Sequence, residues 1–519
     1  MIDALHVHLP VLPILVPLLF AAAMLLSERR GILVQRALSA AGLACLLAIS
    51  VALVAVADEG RITAYLLGDW PARLGIALVV DRLNALMVLT TTLLGAACLL
   101  HACGGWDRRA IHFHALFQLQ LAGLNGAFLT GDLFNLFVFF EVMLIASYGL
   151  LLSGGRGPRM RAGLHYVVFN ITASTLFLIA LGLLYGLLGT LNMAEMGQRV
   201  AQADPANLAL IRAASGILLV VFCAKAALAP LYLWLPNAYA RAPAAVAALF
   251  AVMTKVGIYA VLRVYTLVFG GLAGDTPAAM LADWAWAWLL PAGAVTLVLA
   301  TLGVLASSSL RMLVAFLVIA SAATLFIAFS LGTTATLAAG LYYLVHSTFV
   351  AAALFLVADL IRRQRGAAGD NLDRNGPLRH NALLGLLFAI GAVSVSGMPP
   401  LSGFIGKTLL LDAVPAASMA WVWSVILLTG LLTVVALART ASQVFWRAEP
   451  WPDTTPVPAP PGRAHVAAAV VLLGYGLAMT VWAAPVLDYA EAAARQLQSP
   501  ADYVEAARST RPQLREPSP

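Results

Sequence analysis

Fourteen apolar stretches, each about 20 residues long and joined by short polar turns, leave this 519-residue chain few ways to fold. A helix satisfies its own backbone hydrogen bonds, so such stretches cross lipid as helices of one bundle; they do not divide into the several soluble domains that the length alone suggests. They fall near residues 11–26, 34–57, 77–101, 111–130, 131–153, 161–188, 212–240, 243–270, 285–306, 311–332, 336–360, 381–413, 416–439 and 465–487. With 62% hydrophobic residues, 11% charged residues and a mean hydropathy of +0.91, the chain carries more apolar surface than a soluble core can bury. The expected fold is an all-α integral membrane protein, a single membrane domain. The net charge of +7 tracks lipid and topology and implies no nucleic-acid partner.

Arginine position sets the orientation, because basic residues stay on the cytoplasmic side of short loops. The connections after helices 1, 3, 5, 7, 9, 11 and 13 hold eighteen arginines, among them Arg29, Arg30, Arg36, Arg156, Arg159, Arg311, Arg362 and Arg363. The alternate connections hold four, Arg61, Arg73, Arg199 and Arg212. Both termini are therefore expected outside, and the helix count should be even. The first run, Val11 to Leu26, has no basic residue ahead of it and no small-residue cleavage site, so it reads as a retained helix. Arg362 to His380 reads as a charged cytoplasmic loop, Glu449 to Arg463 as a proline-rich linker, and residues 488–519 as a tail that is either a short helix or disordered. Cys45, Cys98, Cys103 and Cys223 show no CxxC spacing; Cys98 and Cys103 flank His101 too openly for a metal cluster and read as packing residues.

All three lysines, Lys225, Lys255 and Lys407, lie inside apolar stretches, whereas nearly every arginine lies between them. Insertion scales put a cation at the bilayer centre at about 2.5 to 3.5 kcal/mol, so three of them need a reason. Arginine keeps its charge under almost any condition, while lysine loses its proton when desolvated. A chain that reserves the switchable cation for the membrane interior reads as a machine that moves protons.

Glu141 sits midway along the fifth stretch, as either a proton-path carboxylate or a structural one gluing two helices. In the seventh, Pro230 follows Lys225 by five residues and should break or kink the helix. Lys255 lies near the centre of the eighth. In the twelfth, Pro399, Pro400 and Gly403 interrupt the span before Lys407, which either snorkels outward or returns to mid-membrane if the break consumes depth. Helices 4–8 (residues 111–270) and 9–13 (residues 285–440) thus each carry a break and a lysine on the fourth member. A five-helix unit repeated once must be inverted, and inverted repeats with broken helices are a transporter signature. Residues 1–110 hold helices 1–3, and a linker at 441–464 precedes the last helix. His346, with Tyr342 and Tyr343 one turn back, is either a satisfied core histidine or a relay between the halves, and Thr254, Ser347 and Thr348 suit water-holding positions beside it.

The segments GDLFNLFVFFEVML, KAALAPLYLWLPNAYARAP, TKVGIYAVLR and GMPPLSGFIGK, in this order, resemble the proton-channel family shared by multisubunit cation/proton antiporters and the antiporter-like subunits of respiratory complex I. The resemblance covers helices 4–13. It implies that Glu141 and Lys225 form the ion pair of a first half-channel, that Lys255 and His346 connect the halves, and that Lys407 is the terminal lysine of the second. Complex I members commonly have histidines and an aspartate after the helix 7 proline; here Tyr232, Asn237 and Tyr239 stand there, which favours the D-type subunits of Mrp-type (Pha or Mnh) antiporters. The resemblance then implies sodium or potassium efflux against protons, sister subunits as partners in a bacterial inner membrane, and neither an enzyme activity nor a cofactor. The other branch implies a proton-pumping subunit of complex I or a membrane hydrogenase.

Overall fold

The computed structural model describes residues 8–71, 75–155, 157–270, 280–449, 451 and 458–510. Arg73, Arg156, residues 450 and 452–457 of the proline-rich linker and the end of the tail lie outside the described residues. Among those described, eleven helices are long and apolar enough to cross a membrane, and the apolar helices Leu12–Leu26 and Asn381–Ser396 are shorter. The protein is a mostly helical membrane protein.

Helices that concern the site are α1 (Leu12–Leu26), α2 (Ile32–Asp58), α3 (Arg82–Ala102), α4 (Phe113–Leu129), α5 (Leu133–Leu152), α6 (Pro158–Leu188) and the short α7 (Met193–Ala201). They continue with α8 (Leu208–Lys225), α9 (Trp234–Arg241), α10 (Ala244–Phe250), α11 (Met253–Leu267), α12 (Met280–Ala306), α13 (Leu310–Ser330) and α14 (Thr334–Gln364). The last group is α15 (Asn381–Ser396), α16 (Ser402–Asp412), α17 (Ala416–Ala441), α18 (Arg463–Val481), α19 (Ala483–Gln498) and α20 (Pro500–Ser509). The apolar windows of α10–α11 and of α14 are wholly buried, and α13 nearly so, whereas only about a third of the windows of α2 and α17 is buried. The core is thus a column of α10, α11, α13 and α14 inside a shell whose outer faces are as apolar as its inner ones, the pattern expected where lipid replaces water.

Caps fix where the helices start. The Asp81 carboxylate accepts from Asn84 N–H (2.9 Å), Asp132 from Asn135 N–H (2.8 Å), and Thr333 and Thr336 exchange a capping box at the head of α14. Small residues set how closely helices approach: a Cβ added at Gly123 would lie 2.7 Å from the Met143 backbone nitrogen, so α4 and α5 touch along a glycine face.

Three features differ from the sequence expectation. The third span begins at Arg82 and not at 77, because Ala77–Val80 is a β-strand paired antiparallel with Thr63–Leu66, Thr63 opposite Val80. The all-α expectation is corrected by this hairpin: a four-residue apolar run rich in valine has no helical period of its own, and capping by Asp81 ends it. The last span stops at Val481, and residues 483–509 form α19 and α20 in place of an end that is disordered or one short helix. These fold back on the bundle, with Gln496 Oε1 accepting from Arg82 N–H (3.0 Å), Tyr489 Oη donating to the Arg82 carbonyl (3.0 Å) and Gln498 Nε2 donating to the Gly332 carbonyl (2.9 Å). The third difference is a break between α10 and α11, at Ala251 and Val252, where the sequence has neither proline nor glycine.

The loop after α14 is tied to the head of α13 by Arg311 and Asp370, with Nε–Oδ2 2.8 Å and Nη2–Oδ1 3.1 Å. Burial works against the Asp370 charge, but the Arg311 hydrogen bonds and charge outweigh it and hold the carboxyl below the usual carboxylate range. A carboxyl depressed in the folded state stabilises the fold above its unfolded pKa of about 3.9, and that contribution is lost as pH falls through the folded value. Asp370→Asn is therefore expected to cost about 1.5 to 3 kcal/mol at neutral pH. The measurement is the melting temperature of purified protein, where the gap to wild type should close on acidification below the usual carboxylate range; a gap that stays open there would sink this account.

Candidate functional site

The chain stops being helical at two corresponding places. After α8, residues 226–233 form turns that include Pro230, and after α15 residues 397–401 do so, with Pro399 and Pro400 in the break. Both half-helices end in the same way: Leu228 N–H reaches back to the Cys223 carbonyl (3.0 Å), Met398 N–H to the Val393 carbonyl (3.1 Å), and the residue between each donor and its helix is left-handed. In the second break that residue is Gly397 (φ +80°), which suits it; in the first it is Ala227 (φ +60°), where a side chain opposes the conformation. Gly403, expected as part of the break, instead lies in the first turn of α16. Its role is close approach: a Cβ there would overlap the Ser394 carbonyl oxygen and sit 2.9 Å from His346 Nε2. Gly257 on α11 does the same at the first break, where a Cβ would lie 2.6 Å from Ala226 N.

Lys225 is the last residue of α8 and is buried. Its ammonium donates to Asn170 Oδ1 (3.2 Å) and Ser174 Oγ (3.5 Å) on α6 and lies 5.9 Å from the Phe140 ring centroid. Ser174 Oγ donates in turn to Glu141 Oε1 on α5. The ion pair implied by the resemblance is therefore not a direct one: Ser174 stands between the ammonium and the carboxylate. Sequence reasoning misses Asn170 and Ser174, although Tyr166, Asn170 and Ser174 recur every fourth residue of an apolar helix, which puts them on one face.

Lys255 follows the unforeseen break by three residues and is fully buried. Its ammonium donates to Ser321 Oγ on α13 (2.8 Å). Ser321 borders a small cavity of about 30 Å³, room for one water molecule, whose walls include Thr324, Tyr343, Lys407, Thr429 and Thr433. Lys407 reaches that cavity from α16, and its ammonium turns back to the Ser396 (2.8 Å) and Val395 (3.4 Å) carbonyls at the end of α15. The carbonyl end of a half-helix is where its dipole favours a cation. Lys407 thus borders the cavity, and Lys255 is bonded to its wall at Ser321.

His346, buried on α14, shares a hydrogen bond of 2.8 Å between Nδ1 and Ser402 Oγ, and its ring lies 5.6 Å from that of Tyr343, a wall of the cavity. Among the described residues no hydrogen bond joins His346 to Lys255. Ser347 and Thr348 hydroxyls both return to the Leu344 carbonyl, while the buried Thr254 hydroxyl has no hydrogen-bond partner among the described residues.

The buried cations are held in two different ways. Arg263, buried on α11, is locked to Asp81 at 2.6 Å. Among the described residues, each of the three lysines instead hydrogen-bonds to neutral amide, hydroxyl or carbonyl oxygens. As for metal ligation, Cys103, Asp107 and His114 offer ligand atoms within 4.8 Å of one another, but Arg36 holds both Asp107 oxygens (2.6 and 2.9 Å), and its charge excludes a cation there.

The family described as "NADH:quinone oxidoreductase/Mrp antiporter, TM" matches residues 130–433. Over 96% of its length the chain is 39% identical to the D subunit of a probable K(+)/H(+) antiporter from Rhizobium meliloti, 97% of which is covered. It is 36% identical, over 96% of its length, to the D subunit of a Na(+)/H(+) antiporter from Bacillus subtilis, with 98% of that protein covered. Among solved structures it resembles a chain of the Mrp complex from Dietzia, with a TM-score of 0.84 at 28% identity, covering 97% of this chain and 99% of that one. A chain of respiratory complex I from Thermus thermophilus matches at a TM-score of 0.74 and 25% identity, covering 94% of this chain and 99% of that one.

Proposed function

Because this chain belongs to the NADH:quinone oxidoreductase/Mrp antiporter transmembrane family, we propose that it is the D subunit of a multisubunit sodium or potassium/proton antiporter and the part through which protons pass. It is a transporter subunit working with sister subunits, and the name shared by its relatives favours this over a redox-driven pump of the same fold. We count fourteen crossings: the eleven long helices, α1, α4, and the broken α15–α16. The matching ends of α8 and α15 support reading residues 111–270 and 285–440 as inverted repeats of one membrane domain. The arginine-rich connections favour both termini on the outer face of a bacterial inner membrane.

The observation that carries proton movement is that, among the described residues, the hydrogen bonds of Lys225, Lys255 and Lys407 all go to neutral acceptors. A buried ammonium locked to a carboxylate stays charged, whereas one bonded to hydroxyl or carbonyl oxygens releases its proton when a neighbour accepts it. In this reading Glu141 and Lys225 gate the first half through Ser174, Ser321 and the adjoining cavity link Lys255 to Lys407, and His346 tunes that link beside Tyr343. The protein's cargo is protons and monovalent cations; no catalytic residue, cofactor or bound metal is part of the scheme.

The test uses everted vesicles bearing the whole complex in a host without other antiporters, energised to an acid interior. Addition of sodium or potassium should raise the internal pH, and each alkali cation is tried in turn. No response to any of them, from complex present in normal amount, would reject antiport.

A further inference from the structure

Resting on the proton-translocation reading, we infer that His465, His101 and Asp359 form a port by which protons pass between the aqueous phase and the interior of the bundle. At the foot of α18 an open pocket of about 250 Å³ is lined by Leu360, Arg363, Gln364, Pro458, Pro461 and His465. His465 is itself buried, and two glycines admit it: a Cβ on Gly104 would overlap its ring, and one on Gly462 would lie 2.7 Å from Nδ1. Behind it stands His101 of α3, with ring centroids 4.7 Å apart and planes at 86°. His101 Nε2 is 3.7 Å from Asp359 Oδ2 on α14, a gap that one water or a small ring rotation closes.

Among the described residues neither ring nitrogen of His101 has a hydrogen-bond partner, nor does His465 Nε2, although all three are buried. Buried polar atoms are almost always paired, so three orphans in contact, at the wall of an open pocket, ask for a reason. Proton transfer through the rings supplies one. An imidazole accepts at one nitrogen and donates from the other, so a proton crosses it without the ring keeping a charge. A proton arriving from the bundle binds His101 as another leaves it for His465, and His465 releases one to water in the pocket; one N–H forms for each that breaks, the Asp359 carboxylate draws protons to the pair, and the net result is one proton delivered to the aqueous phase.

The charged groups facing the pair are Asp359, Arg362 and Arg363, all on α14, where Arg362 Nη2 holds Asp359 Oδ1 (2.7 Å) and Arg363 Nε holds Oδ2 (2.6 Å), the oxygen that also lies nearest His101. Asp359 shares its helix with His346, and two buried hydroxyls without a hydrogen-bond partner among the described residues follow: Thr91, deeper on the helix of His101, and Thr254, next to Lys255 in the chain.

The experiment measures cation-driven proton exchange by the whole complex in everted vesicles, in dilute buffer, for His101→Ala, His465→Ala and the reference Lys407→Ala. Exchange by each histidine variant is expected to fall about tenfold or more. Added imidazole should restore His465→Ala, because a small diffusing base can take the vacated place; a structural defect would not respond. If His465→Ala fails to assemble, His465→Gln carries the same measurement. Wild-type rates in both histidine variants, or a His465 deficit that imidazole leaves untouched, overturn the port. Normal exchange by Lys407→Ala overturns the translocation reading instead, whatever the histidines do.

Discussion

Replacing Lys225 by arginine is expected to abolish cation/proton exchange while the complex still assembles. The Lys225 ammonium is bonded to Asn170 Oδ1 and Ser174 Oγ and reaches Glu141 only through Ser174. Arginine keeps a cation in place and so preserves the electrostatics of the resting state, yet it does not deprotonate, and its five-donor fork is long enough to replace the Ser174 bridge by a direct pair with Glu141. The position would then be locked as Arg263 is locked to Asp81. General acid–base groups contribute about 100-fold or more, so exchange in everted vesicles should fall by at least that in Lys225→Arg, Lys225→Ala and Glu141→Ala. Full exchange by Lys225→Arg would mean that no proton leaves this position, and the first half-channel would have to be abandoned.

The parts of this machine that sequence reveals are those where one residue type is costly in its setting. Three lysines in oil, a glutamate among phenylalanines and prolines inside apolar runs each announce themselves because burial or helix geometry penalises them singly. The breaks at Pro230 and at Pro399–Pro400 are legible on that ground. What stays hidden depends on partners distant in the chain. Ser174 and Ser321 are ordinary in a membrane helix; only folding puts one between Lys225 and Glu141 and the other between Lys255 and a cavity. The break at Ala251–Val252 has no local breaker. Gly403 looks like a helix breaker, yet its missing side chain serves the approach of α16 to the Ser394 carbonyl and His346. Ala77–Val80 reads as helix because a short apolar run has no period long enough to tell strand from helix.

Lys407→Ala is expected to abolish exchange as fully as any change at Lys225, for a different physical reason, and to do so without loss of assembled protein. Its ammonium caps the Ser396 and Val395 carbonyls at the end of α15, so the lysine is bonded to the backbone of the break that exposes those groups. Removing it leaves two carbonyls that the adjoining polar cavity, walled by Thr324, Thr429 and Thr433, can hydrate, so the stability cost stays small. The transport cost does not, because alanine carries no proton. Arg263→Ala is the opposite case: it strands the buried Asp81 carboxylate, and breaking a buried pair costs about 3 to 5 kcal/mol, so the amount of assembled complex should drop. Measuring both quantities for both variants separates the roles, since Lys407→Ala should lose rate at constant amount and Arg263→Ala amount first. Ser321→Ala then reports on the connection itself. It removes the sole acceptor of the Lys255 ammonium among the described residues and leaves all three lysines in place, so exchange should fall about tenfold while every titratable group of the path survives. If Ser321→Ala exchanged normally, Lys255 and Lys407 would have to communicate by some route other than Ser321 and its cavity.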